Sequence, residues 1–251
     1  MTRPQIQSLR LITPLADRSW RVIIVGGHTR SIGKTQLACD LIAAFPEAGW
    51  IAGKITQYGH GICARNGHEC DCAPDEHVGA LSWERNPTTG TDSARFLAAG
   101  ARASFWLRTK QGFLAEGLPQ LRADLIEQAN RFPDSPHNLI LESNALLQFC
   151  QPTLYLMVVD PAKTDFKPSA RLHLDRASAV VLRRPAYPPS SEAESGGAWA
   201  GIPGWLWQSK PQFVQELGQP LPSELISTVA AVLGGTNFGR HRHSNEQHLT
   251  D

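Results

Sequence analysis

The residues Val22–Leu37 read VIIVGGHTRSIGKTQL. Arg21 to Val25 ends in an unbroken β-branched run, as expected of a strand buried on both faces. From Gly33 to Phe45 the pattern changes: Leu37, Ala38, Leu41, Ile42 and Phe45 fall on one stripe of a helix. Between strand and helix lies a glycine-flanked loop that closes on Gly33-Lys34-Thr35. This is the setting in which G-x-x-x-x-G-K-[ST] holds phosphate. The first glycine is displaced, however. Position 28 is His28, and the spacing is Gly27-x-x-x-x-x-Gly33-Lys34-Thr35, one residue longer than usual.

The physics of such a loop still applies. Backbone N–H groups from Gly27 to Lys34, with the positive end of the helix, wrap a phosphate chain. Lys34 neutralises the β and γ oxygens, and the Thr35 hydroxyl takes Mg²⁺. The nucleotide contacts expected are Gly27, Thr29, Arg30, Ser31, Ile32, Gly33, Lys34, Thr35 and Gln36. A tight strand-to-helix turn carrying a surface lysine is the competing reading.

Working outward, apolar runs alternate with helical patterns, which predicts an α/β fold with a mainly parallel sheet flanked by helices. Trp50–Ile55, Ala103–Leu107, Asn138–Leu141, Leu154–Val159 and Ser178–Leu182 read as further strands. Thr91 is placed to cap a short helix ending near Gly100. Pro119 is expected to open another helix, with Leu118, Leu121, Leu125 and Ala129 on one face. Leu225–Leu233 closes the fold, with Ser223 as its cap. Residues 1–235 form one phosphate-loop domain on this reading, and 236–251 a polar, His-rich, disordered tail.

The formal net charge of +1 gives no electrostatic reason to expect nucleic acid or an anionic membrane as partner. No apolar run approaches the roughly 18 residues of a membrane span, and no secretory signal is visible. A cytoplasmic location follows as the expectation, with reduced thiols. Cys39 and Cys150 stand alone and read as core thiols. Cys63, Cys70 and Cys72 crowd together with His60, His68 and His77, inside an aperiodic stretch, 56–90, read as an insertion after the second strand. Three thiols and an imidazole match a Cys₃His zinc site, with His77 as fourth ligand, or the thiols hold an iron–sulfur cluster. A loop with incidental thiols is the alternative.

The long loop spacing resembles that of dethiobiotin synthetases, in the P-loop NTPase group that includes the nitrogenase iron protein, MinD-type ATPases and signal-recognition GTPases. The resemblance implies a functional lysine at the end of the second strand, matched by Lys54, and further Mg²⁺ ligands at a helix start and a core-strand end, matched by Asp92 and Glu142. Lys34, Lys54 and Glu142 are then the candidate catalytic residues. Thr89–Leu107, TGTDSARFLAAGARASFWL, resembles a segment of the molybdopterin-guanine dinucleotide biosynthesis B family, which implies a GTP-binding helper in cofactor biosynthesis. Together the resemblances span residues 20 to 160. Two departures stand out. ITQYG replaces the P-V-x-S-G that seats the dethiobiotin synthetase substrate. The run SAVVLRRP ends in Arg183-Arg184 where many GTPases place a base-reading Asn, which leaves ATP and GTP both open.

Two function classes follow: an Mg²⁺-dependent NTPase or NTP-using ligase acting on a small molecule, and a non-catalytic nucleotide switch. The expected partners are the nucleotide, a small-molecule or cofactor substrate, and a second copy of the chain in a homodimer.

Overall fold

The computed structural model describes residues 20–58, 79–184, 199 and 201–234. Eight strands form one sheet: β1 (Arg21–Gly27), β2 (Ile51–Tyr58), β3 (Gly79–Trp83), β4 (Ala103–Lys110), β5 (Asn138–Glu142), β6 (Leu154–Val159), β7 (Ala179–Arg184) and β8 (Gln212–Glu216). Their order is β3-β4-β2-β5-β1-β6-β7-β8. Only β3 is antiparallel to its neighbour. The helices are α1 (Lys34–Ala44), α2 (Asp92–Ala98), α3 (Leu114–Arg131), two single turns α4 (Pro168–Arg171) and α5 (Trp205–Gln208), and α6 (Ser223–Val232).

Strand side chains alternate between two cores, because successive Cβ atoms point to opposite faces. Val22, Ile24, Leu139, Leu141 and Met157 pack with Leu114, Leu118, Leu121 and Leu125 of α3. Ile23, Val25, Ile140, Leu156, Val158 and Val181 pack with Leu37, Leu41 and Ile42 of α1, Phe96 of α2, and Leu225 and Val229 of α6. Each such buried side chain contributes about 1.5–3 kcal/mol relative to exposure. The two isolated cysteines are indeed buried. Loss of solvation pushes the Cys39 thiol up to about 11 and Cys150 to about 12.

Several boundaries differ from expectation. The stretch 56–90 is not wholly outside the sheet, since β2 runs on to Tyr58 and β3 begins at Gly79. Lys54 is therefore inside β2, level with the last residue of β5, rather than at a strand end. Helix α3 begins at Leu114, not Pro119. Leu114 and Leu118 supply one more buried turn to the stripe, and Pro119 faces solvent, where one missing backbone bond is tolerated. Ser223 is the first residue of α6 and makes no cap; its hydroxyl meets Glu224 at 3.1 Å. Thr91 does cap α2, accepting from the Ala94 N–H at 3.1 Å.

In parallel α/β sheets ligands bind at the carboxyl ends of the strands, where the strand order reverses. Here β1 lies between β5 and β6, and the loop that follows it opens onto that edge. No helix among the described residues is long and apolar enough to cross a membrane.

Candidate functional site

The loop after β1 is held from three sides. Asn144, just beyond β5, clamps Gly27: its Oδ1 accepts from the Gly27 N–H at 2.9 Å and its Nδ2 donates to the Gly27 carbonyl at 2.8 Å. This clamp requires a glycine before it, because a Cβ on Gly26 would strike the Asn144 amide and the Tyr155 ring. On the β6 side the His28 N–H donates to the Val158 carbonyl at 3.2 Å. Ile32 is buried in the core shared with α1. Two backbone reversals then turn the chain into α1, at Ser31 with φ 52° and Gly33 with φ 88°. The left-handed φ at Gly33 is one that only glycine adopts freely.

Lys34 leads the helix and bends back over the loop, donating to the Thr29 carbonyl at 2.8 Å. Burial holds its ammonium below the ordinary lysine value; the Glu142 charge opposes this and Lys54 adds to it. Arg30 is exposed. The Gln36 side chain is engaged elsewhere: its Nε2 donates to Asp40 at 2.7 Å and its Oε1 accepts from Arg95 at 2.7 Å.

Next to the loop, strand register builds a charged cluster. β2 and β5 pair Lys54 with Glu142. The Thr35 hydroxyl donates to Glu142 Oε2 at 2.6 Å, while Glu142 Oε1 lies 3.5 Å from Lys54 Nζ. Lys54 also pairs with Asp92, the first residue of α2, which Arg95 approaches at 3.7 Å. Burial pulls the Lys54 ammonium down, but Glu142 and Asp92 outweigh it and hold Lys54 above its ordinary value. The structure thus brings Thr35, Lys54, Glu142 and Asp92 together, with Asp92 reaching Glu142 through Lys54. Hydroxyl and carboxylate oxygens at this spacing suit a hard cation such as Mg²⁺, which takes one or two protein oxygens alongside phosphates and water.

The loop after β6 closes the other side. Thr29 Oγ1 donates to the Asp165 carboxylate, Lys163 Nζ donates to the Ser31 carbonyl at 2.9 Å, and the Lys167 N–H donates to the His28 carbonyl at 2.7 Å. His28 packs against Phe166 and Trp199, with ring centroids 5.3 and 5.0 Å away, and burial lowers its pKa. The Lys167 ammonium is pushed down to about 8, first by burial and then by Lys34 and Arg30. Sequence analysis assigned no role to any residue of this loop. Asn144 was likewise not singled out from the sequence.

Cys63, Cys70, Cys72 and His77 lie outside the described residues, as does the tail 236–251. Tyr58 and Gly79, which flank the Cys/His stretch, both stand at the carboxyl edge: Tyr58 pairs with Lys110 and Gly79 with Thr109. Among the described residues no group of three or more His, Cys, Asp or Glu side chains is placed to hold a metal.

A central parallel strand, a glycine-bounded loop closing on Lys34-Thr35, a helix N-terminus and a carboxylate ending the adjacent strand decide the architecture. The fold is an α/β fold with a mainly parallel sheet flanked by helices, and the glycine-bounded loop leads from its central strand into α1. Among solved structures, the chain is similar to HypB from Helicobacter pylori in complex with nickel, at 12% identity over 85% of each chain with a TM-score of 0.45. It is similar to LpxK from Aquifex aeolicus in complex with ATP, at 14% identity, over 82% of this chain and 57% of that one, with a TM-score of 0.40. It is also similar to a Zn(II)-bound triple mutant of the YjiA GTPase, at 11% identity, over 83% and 61%, with a TM-score of 0.39. No protein-family model and no curated protein matches the chain. Likenesses this distant assign no activity.

Proposed function

We propose that this chain binds a nucleoside triphosphate with Mg²⁺ and hydrolyses it in the service of cofactor biosynthesis, in the manner of a molybdopterin-guanine dinucleotide B-type helper. The observation that carries the reading is the Thr35–Glu142 hydrogen bond beside Lys34. It joins the loop's hydroxyl to a buried strand-end carboxylate, at the place where the β and γ phosphates would need a cation.

On this reading, backbone N–H groups between Gly27 and Lys34 bind the phosphate oxygens, assisted by the positive end of α1. Lys34 leaves the Thr29 carbonyl for the phosphates, a stronger acceptor because it is charged. Thr35 and Glu142 would hold Mg²⁺, which supplies charge neutralisation at the β and γ oxygens. Glu142 also orders the attacking water by accepting its hydrogen bond. Lys54, kept protonated by Glu142 and Asp92, steadies the charge that moves onto the terminal phosphate. Asp92 positions Lys54.

The Lys54–Asp92 pair also favours a second reading. A cation held at the γ-phosphate end can bind the carboxylate of a small substrate, as in a dethiobiotin-synthetase-like ligase. Hydrolysis assays with and without added small carboxylic acids separate the two. Slow turnover indifferent to every acid supports the helper, and strong stimulation by one acid supports the ligase. No hydrolysis under any condition, with nucleotide bound, would leave only the switch.

A further inference from the structure

We propose that Arg183 is a positioning residue of the phosphate loop: a buried, unpaired positive charge behind Gly33 that strengthens the loop's hold on anions and is neutralised only when phosphate binds. The proposal rests on the nucleotide-binding reading and adds to it a residue that contacts neither base nor phosphate.

Strand parity puts Arg183 under the start of α1. Ala179 and Val181 of β7 pack in the core shared with α1. Arg183 is next in that alternating series and is 6% exposed. Its guanidinium lies against Gly33, where a Cβ would come within 2.7 Å of Nη2 and 2.9 Å of Cζ and Nε. A side chain at position 33 would therefore displace the guanidinium, quite apart from the φ of 88° there.

No described residue neutralises this cation by contact. Its Nε is buried without a hydrogen bond, and no ion pair among the described residues includes it. The carboxylates whose charge reaches it are Asp40 and Asp160. Both are engaged elsewhere, Asp40 with the Gln36 amide at 2.7 Å and Asp160 with the Ala162 N–H at 3.0 Å. On the loop side the field is positive. Lys34 follows Gly33 directly as the first residue of α1, and the helix adds its own positive end. A buried cation placed there costs stability in the free chain.

The same charge contributes once the loop is filled. A phosphate chain held by the N–H groups between Gly27 and Lys34 would bring several negative charges to the other side of the Gly33 backbone. The attraction needs no hydrogen bond, because Coulomb energy falls only with the inverse of distance and is screened little where water is excluded. The competing role for Arg183 is that of a prop, filling space against Gly33 and steadying its left-handed turn. The two roles differ in sign: a prop stabilises the free chain, and an unpaired buried charge destabilises it.

The test is calorimetric titration of the Mg²⁺ complexes of GTP, ATP and inorganic triphosphate into the unmodified chain, Arg183→Met and Arg183→Lys, with urea denaturation of each chain free of ligand. Arg183→Met should weaken every one of these ligands that the unmodified chain binds, by a common factor of about ten. Without ligand it should unfold at the same urea concentration as the unmodified chain or a higher one. Arg183→Lys keeps the charge and should recover most of the affinity. Lower ligand-free stability in Arg183→Met would make Arg183 a prop and overturn the proposal. So would undiminished binding of any of these ligands by Arg183→Met, or an affinity in Arg183→Lys as low as that of Arg183→Met. In each of those cases nucleotide binding itself stands. If the unmodified chain binds none of the three ligands, the nucleotide-binding reading itself has failed.

Discussion

The Thr35 hydroxyl donates to Glu142 Oε2 across 2.6 Å, although 107 residues separate them in the chain. The contact exists because β5 lies beside β1 with Val25 level with Glu142, and because Gly33 turns the loop so that α1 starts directly above that strand end. If Glu142 orders the attacking water, its loss should fall on turnover. Glu142→Gln is expected to lower hydrolysis by about 100-fold with a much smaller effect on nucleotide affinity. Equal losses in both would make Glu142 a binding residue only. Asp92→Asn should behave in the same direction and more weakly, since Asp92 acts through Lys54.

Asn144 is expected to be a structural keystone of the loop. Asn144→Ala strands both the N–H and the carbonyl of buried Gly27. The variant should lose about 2 kcal/mol or more in urea denaturation. Unchanged stability would mean that water replaces the amide without cost.

The fold was legible where burial is symmetric. β1, β5, β6 and β7 are covered on both faces, and their unbroken apolar runs declare it. The stripe of α1 was equally plain, and every one of its expected residues is buried. The two edge strands were not. β8 reads QFVQE and β3 reads GALSW, each only partly buried, so neither a run nor a clean alternation marks them. The phosphate loop could be read because its chemistry is local. Asn144, Lys167 and Arg183 could not be assigned, because each meets the loop only through strand order. Lys54 was expected at a strand end and lies inside β2, level with Glu142, since β2 outruns its neighbour β5.

Lys167 should couple binding to protons. Its ammonium sits at about 8, low because of burial and of Lys34 and Arg30. A phosphate chain beside these cations would raise that value, so binding near pH 8.5 should take up protons. Titrations in buffers of different ionisation enthalpy should show the uptake in the unmodified chain and less of it in Lys167→Arg. The same group affects folding. Its folded value lies below the unfolded one of 10.5, so from about pH 8 to 10.5 the unfolded chain binds more protons. This contribution to stability therefore rises with pH across that window, and Lys167→Met should abolish it. Identical proton uptake in Lys167→Arg and the unmodified chain would remove Lys167 from the phosphate site.

The cysteine-rich stretch makes its own prediction. Elemental analysis of protein purified without chelator should find about one zinc, or several iron, per chain. Cys70→Ser combined with Cys72→Ser should abolish it. Protein free of both metals would reduce the three thiols to incidental residues.

The central claim is that the Gly27–Thr35 loop holds the phosphates of a nucleotide, with Lys34 as its principal charge. Isothermal titration of Mg²⁺–GTP and Mg²⁺–ATP into the unmodified chain and into Lys34→Ala tests it most directly. The account predicts saturable binding of at least one nucleotide, weakened about tenfold or more in Lys34→Ala. Undiminished binding by the folded Lys34→Ala chain would contradict it.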